Sequence, residues 1–179
     1  VGEPFADLVE SRIFEPAEMS GASLHAAQVE EEGNFAFGHS GSPQQHIQMA
    51  PTDSYLATGY YGPMGGAWAS VLDLAAWAKV HLTAGGAVLE AASMSALATP
   101  ATETRRVPEQ HYGYGLYIDR LYGFDLLSHG GSVAGYFTYW LLVPEEGFGV
   151  FVVVNCDWYY PSGIAYEALD LFVGRDPPN

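Results

Sequence analysis

From residue 111 to residue 155, four runs rich in aromatic and β-branched residues follow one another: "YGYGLYIDR", "GFDLLSH", "GYFTYWLLVP" and "FGVFVVVN". Glycine or acidic turns separate them. Such spacing predicts successive antiparallel strands. Val150 to Val154 is continuously apolar, which predicts a central strand covered on both faces. A closing helix, "SGIAYEALDLFVG", would cover one face of that sheet with Ile164, Ala168, Leu171 and Phe172.

The part before residue 111 has a different character. "GEPFADLVESRIFEPAEM" places Phe5, Leu8, Val9 and Ile13 at helical spacing after Pro4, and Pro16 ends the run. Residues 20–63 carry glycines, prolines and an acid cluster, Glu30–Glu32, and read as a long irregular stretch. "GGAWASVLDLAAWAKVHLTAGG" is the clearest helix: Ser70 and Asp73 have capping-box spacing, and Gly85-Gly86 stops it. A short helix follows around "EAASMSALATP". The expected fold class is α+β, with a helix-and-loop region over 1–110 and antiparallel strands plus a C-terminal helix over 111–179.

Composition narrows the partners. The chain has 179 residues, of which 49% are hydrophobic, enough for a real core. With 21 acidic and six basic residues its formal charge is −15, which argues against nucleic acid or an anionic membrane as partner. No apolar run reaches membrane-spanning length. Cys156 is alone and forms no internal disulfide. His25, His39 and His46 fall in the irregular stretch, but none begins a His-Glu-x-x-His motif, so neither metal nor cofactor is expected. "GHSGS" is not a nucleophile elbow, because Ser42 stands where the second glycine belongs.

Four landmarks in order then carry a resemblance. "PFADLVESRIFEPAEM" resembles the segment of class C β-lactamase-like serine hydrolases that ends in a Pro-x-x-Met turn. "PMGGAWASVLDLAAWAKVHL" resembles their Gly-Gly-x-x-Ser/Thr-x-x-Asp helix. "YGYGLYI" and "SHGGSVAGYFTYWLLVPEEGFGVFVVVN" resemble their last strands, where a His-x-Gly triplet replaces Lys-Thr-Gly. Ala17-Glu18 stands where that family commonly has Leu-Gly, which implies a differently shaped turn. The family, which includes penicillin-binding proteins, esterases and D-amino-acid peptidases, implies a β-lactamase/transpeptidase-like fold, of which this chain would be the C-terminal part.

The resemblance also implies a site. His129 would sit where the family has a lysine, facing the substrate's polar or anionic group. Gly130 and Gly131 would leave the strand open for the substrate to approach. Ser132 would supply one N–H of an oxyanion hole, and Tyr136 would lie beside the substrate. The family's nucleophile motif, Ser-x-x-Lys, is absent: Lys79 is the only lysine and Ala76 lies three residues before it. Tyr-x-Asn is absent too, since Asn34, Asn155 and Asn179 are preceded at that spacing by Glu32, Val153 and Pro177. Both motifs are therefore expected on an N-terminal segment that is missing here and would complete a larger domain. The implied function is acyl-enzyme hydrolysis of a β-lactam, ester or peptide. A different class stays open beside it: a non-catalytic, carbohydrate-binding module using Trp140, Trp158, Tyr159 and Tyr160.

Overall fold

A computed structural model describes residues 2–54, 57, 61–105, 107 and 109–176. The first helix, α1 (Phe5–Val9), runs into a wider π-turn over Glu10–Phe14. Widening just before Pro16 follows from the proline ring, which clashes with a carbonyl four residues back. Glu18 then turns the chain at φ 62°, the left-handed conformation that glycine adopts freely. The Ala17-Glu18 turn therefore takes a glycine-type backbone without a glycine.

The stretch expected to be irregular holds regular elements. These are α2 (Ala26–Glu32), a hairpin of β1 (Gly38–Gly41) and β2 (His46–Met49), and the single turn α3 (Gly62–Gly65). The helix α4 spans Val71–Leu82. Its capping box is present: Ser70 N–H donates to Asp73 at 2.8 Å, and Asp73 N–H donates to the Ser70 hydroxyl at 3.2 Å. Asp73 also accepts the Gly21 N–H at 2.9 Å, so the cap ties in a loop 52 residues away. The short helix α5 is Ala91–Leu97.

Six strands form one meander in the order β3 (Thr102–Glu103), β4 (His111–Tyr112), β5 (Tyr117–Leu121), β6 (Phe124–Val133), β7 (Tyr136–Val143), β8 (Phe148–Val154). The helix α6 (Ser162–Phe172) follows. "YGYGLYIDR" is thus two strands, not one: the chain folds back through Gly113–Gly115 so that His111 pairs with Ile118. The strand holding His129 extends to Val133, so the triplet lies inside β6 and the turn falls at Ala134-Gly135.

The chain divides into two compact units. The first comprises the residues through Trp77, Gly131–Phe137 and Val153–Tyr160. The second comprises Ala78–Gly130, Thr138–Val152 and the residues from Pro161. In the second unit adjacent residues of β6 and β7 face opposite ways, as strand geometry requires. Leu127 and Leu142 pack with Ala78, Leu116 and Ile118 on one face. Leu126, Leu141 and Val143 pack with Ala165 and Leu169 of α6 on the other.

Two expectations are revised here. Both faces of β8 are in contact with core clusters, Phe151 with one and Val150 and Val152 with the other, but the strand buried most deeply is β7, whose Leu141, Leu142 and Val143 are at most 1% exposed. Among the described residues β8 is the outermost strand, and its Val153 is 44% exposed. A continuous apolar run marks burial potential, not position in a sheet. The buried stripe of α6 is likewise Ala165 and Leu169, rotated one residue from the expected one. Ile164, Leu171 and Phe172 are 40%, 65% and 45% exposed. Small Ala165 lets the helix approach the sheet closely, and Phe172 stacks on Phe148 at 4.2 Å instead.

Candidate active site

β6 brings His129, Gly130, Gly131 and Ser132 onto one continuous strand. By strand alternation His129 and Gly131 share one face, and Gly130 and Ser132 the other. His129 is half-buried in the second unit. Its Nδ1–H donates to the Gly130 carbonyl at 2.7 Å. In the neutral ring Nε2 is then an acceptor, and the Tyr112 hydroxyl lies 3.0 Å from it. The imidazole also stacks on Tyr117, with centroids 5.3 Å apart and planes 25° apart. Both nitrogens therefore have protein partners, and in this tautomer Nε2 can donate only if it takes up a proton.

The first unit holds Ser132 and Tyr136. Ser132 is exposed. Tyr136 donates its hydroxyl to the Ala36 carbonyl at 2.7 Å and packs edge-on to Trp68 at 5.4 Å. Burial pushes its phenol above the ordinary tyrosine pKa. Its ring fills the space over Gly38, where a Cβ would meet it at 2.5 Å. Those contacts give Tyr136 a packing role in this unit, whatever else it touches.

A second constellation in the first unit lies outside the residues singled out by sequence. Asp157 accepts the Ser40 hydroxyl at 2.5 Å, the Gly41 N–H at 2.9 Å and the Gly135 N–H at 3.2 Å. The Ser40 hydroxyl, with the Gly41 and Gly135 N–H groups, holds this carboxyl below the ordinary aspartate pKa against the opposing effect of burial. Ser132, Val133, Ala134, Phe137 and Asp157 line a pocket of about 250 Å³. Ser40 and Asp157 are 117 residues apart, and no local pattern signals such a pair.

Two histidines of the irregular stretch pack on rings: His39 and His46 lie edge to face at 4.9 Å, and His46 sits 5.4 Å from Trp158. His25 instead places Nε2 3.3 Å from Asp7 and 3.7 Å from Glu10. Among the described residues no three His, Cys, Asp or Glu side chains converge to hold a metal ion. Among the same residues no helix is long and apolar enough to cross a membrane. Of the four aromatics of the binding-module reading, Trp140 stacks on Phe151 at 5.5 Å against the second unit's core. Tyr160 lies edge-on to Phe137 at 5.6 Å in the first unit. Trp140 is therefore occupied inside the protein, which removes it from a surface platform.

Residues 2–171 match the family model described as Beta-lactamase. The chain belongs to the β-lactamase family. A D-aminopeptidase of Gluconobacter oxydans (strain 621H) is 30% identical over 154 residues, which are 86% of this chain and 28% of that protein. The octameric penicillin-binding protein homologue from Pyrococcus abyssi superposes with a TM-score of 0.85 at 28% identity. That match covers 96% of this chain and 38% of the other. A class C β-lactamase from Rhodobacter sphaeroides shares the fold, with a TM-score of 0.71 at 17% identity over 97% of this chain and 56% of its own. The α+β, β-lactamase/transpeptidase-like fold expected from the sequence is the one observed. The chain spans well under half the length of its D-aminopeptidase and penicillin-binding-protein relatives.

Proposed function

We propose that this chain is the C-terminal part of a serine hydrolase that works through an acyl-enzyme on a β-lactam, ester or peptide. The observation that supports this most directly is the uninterrupted strand carrying His129, Gly130, Gly131 and the exposed Ser132 in a β-lactamase-family chain. Acyl transfer develops an oxyanion, and a preorganised strand N–H such as that of Ser132 stabilises it at no reorganisation cost. The nucleophile and its base would come from an N-terminal segment carrying Ser-x-x-Lys and Tyr-x-Asn. The outer edge of β8 offers that segment's strands a place to pair. The name of the 30%-identical relative, a D-aminopeptidase, favours peptides and amides over β-lactams.

In this reading His129 acts from the strand beside the nucleophile, with Tyr112 holding its Nε2 until substrate arrives. Comparison of the full-length protein with the 179-residue chain tests the division of labour. The full-length protein should turn over a chromogenic ester or amide and the chain alone should not, since losing a nucleophile costs on the order of a million-fold in rate. Turnover by the rigorously purified chain would place a nucleophile within it and overturn the proposal.

A further inference from the structure

We propose that Asp157 is a specificity-determining residue whose carboxylate receives the free ammonium group of an aminoacyl substrate. The inference rests on the hydrolase reading above and adds the substrate class to it.

The geometry lies within the first unit. The pocket of about 250 Å³ is lined by Ser132, Val133, Ala134, Phe137 and Asp157. Ser132, whose N–H is the proposed oxyanion donor, lines the same pocket as Asp157, so the pocket adjoins the proposed oxyanion position. Asp157 is the one charged group among those five lining residues, and the other side chains are apolar or a hydroxyl. A substrate group entering this pocket therefore meets one formal charge among its lining residues, and it is negative.

That charge is fixed without being cancelled. Ser40, Gly41 and Gly135 are neutral donors, and among the described residues no Lys, Arg or His forms an ion pair with Asp157. Oδ2 accepts two hydrogen bonds, from Ser40 and Gly135, and Oδ1 accepts one, from Gly41. An ionised carboxylate offers about four acceptor positions, so one remains on Oδ1. The three donors orient that position and keep the group ionised at neutral pH. A primary ammonium has three N–H donors and suits a site with a free carboxylate lone pair. An N-blocked acyl group would bring a neutral amide N–H to the ionised carboxylate and lose the ammonium–carboxylate ion pair. The class selected is therefore amino-acid amides and peptides with an unblocked amine.

A purely mechanical role is the competing explanation, since the same carboxylate pins the loop at Ser40 and Gly41 to the turn at Gly135. Two substitutions separate the roles. Asp157→Asn removes the charge, whereas Ser40→Ala loosens the pin and leaves the charge in place. In the full-length protein, kcat/KM is measured for alanine p-nitroanilide and for its N-acetyl derivative. A charge-assisted hydrogen bond contributes enough for Asp157→Asn to lower the ratio of the two values by about tenfold or more. Ser40→Ala should leave the ratio unchanged, whatever it does to both values together. A ratio that Asp157→Asn does not alter, or that Ser40→Ala alters equally, overturns the proposal. Should Asp157→Asn fail to fold, the wild-type protein decides by itself. It should favour alanine p-nitroanilide over the propionyl analogue, which lacks only the amine, by about tenfold or more. Equal values overturn the proposal while leaving the hydrolase reading intact. Hydrolysis of none of these compounds, with esters also untouched, overturns both.

Discussion

The Tyr112 hydroxyl lies 3.0 Å from Nε2 of His129, while Nδ1 of the same ring donates to the Gly130 carbonyl at 2.7 Å. The imidazole is thus fixed in one orientation on β6 before any substrate is present. Preorganisation of this kind suits a group that must meet developing charge without first rearranging. In the full-length protein, His129→Ala should lower kcat by tenfold or more, on the order expected for a lost acid–base or donor group. Its melting temperature should change little. Tyr112→Phe should have a smaller effect on kcat, since it releases the ring without removing it. Gly131→Val should be worse than His129→Ala, because a branched side chain would stand where substrate approaches the strand. Early melting of His129→Ala with normal turnover would mark the histidine as structural only.

Asp73 gives a prediction about acid stability. It is 4% exposed and accepts hydrogen bonds from Gly21 N–H and from Ser70 through both its N–H and its hydroxyl. Burial by itself would raise its pKa, but these hydrogen bonds outweigh it and leave the carboxyl below the ordinary aspartate value of 3.8. A depressed native pKa means that the unfolded chain binds the proton more readily. The stability from Asp73 is therefore complete above 3.8 and is lost as pH falls through the lower native value. Asp73→Ala should destabilise by about 1–3 kcal/mol, as a lost cap plus a lost buried acceptor. Urea melts should also show a flatter pH dependence below 3.8 for the variant than for the parent.

The Pro-x-x-Met turn offers a gain rather than a loss. Glu18 is exposed and holds φ at 62°. A left-handed backbone costs an L-residue roughly 1–2 kcal/mol, part of which glycine would recover against its own larger unfolded entropy. Glu18→Gly should therefore stabilise by about 1 kcal/mol. A destabilised variant would mean that the Glu18 side chain contributes more than the backbone strain costs.

How far the sequence could be read follows from the distance between partners. The Ser70–Asp73 box was legible because both residues fall in one helical turn, and the strand in "GFDLLSH" was legible because its aromatic and apolar residues form one local run, whereas its continuation through Gly130 to Val133 was not. The buried face of α6 was not, because Ile164, Ala168, Leu171 and Phe172 make as regular a stripe as Ala165, Leu169 and Val173. Only the sheet under α6 decides between them. Likewise, "FGVFVVVN" reveals an apolar strand but not that it is outermost. The Tyr112–His129 and Ser40–Asp157 pairs join residues 17 and 117 positions apart, beyond any local pattern.

The outer position of β8 bears on association. Its backbone edge is unpaired by any other described strand, and Val153 is 44% exposed. Bare apolar strand edges recruit other strands. The 179-residue chain expressed by itself should therefore self-associate in light scattering and bind a hydrophobic dye. A monodisperse monomer with a sharp unfolding transition and no dye binding would show that the β8 edge needs no further strand.

Trapping the covalent intermediate is the most direct test of the acyl-enzyme proposal. The full-length protein is mixed with a slow ester or amide substrate, quenched in acid, and its mass and digest are read. The expected result is a mass increase equal to the acyl group, on a serine within a Ser-x-x-Lys sequence upstream of Val1. The adduct should be absent when that serine is replaced by alanine and reduced in yield at early times in His129→Ala. An acyl group on any residue of these 179, or turnover with no adduct on an essential serine, would contradict the proposed mechanism.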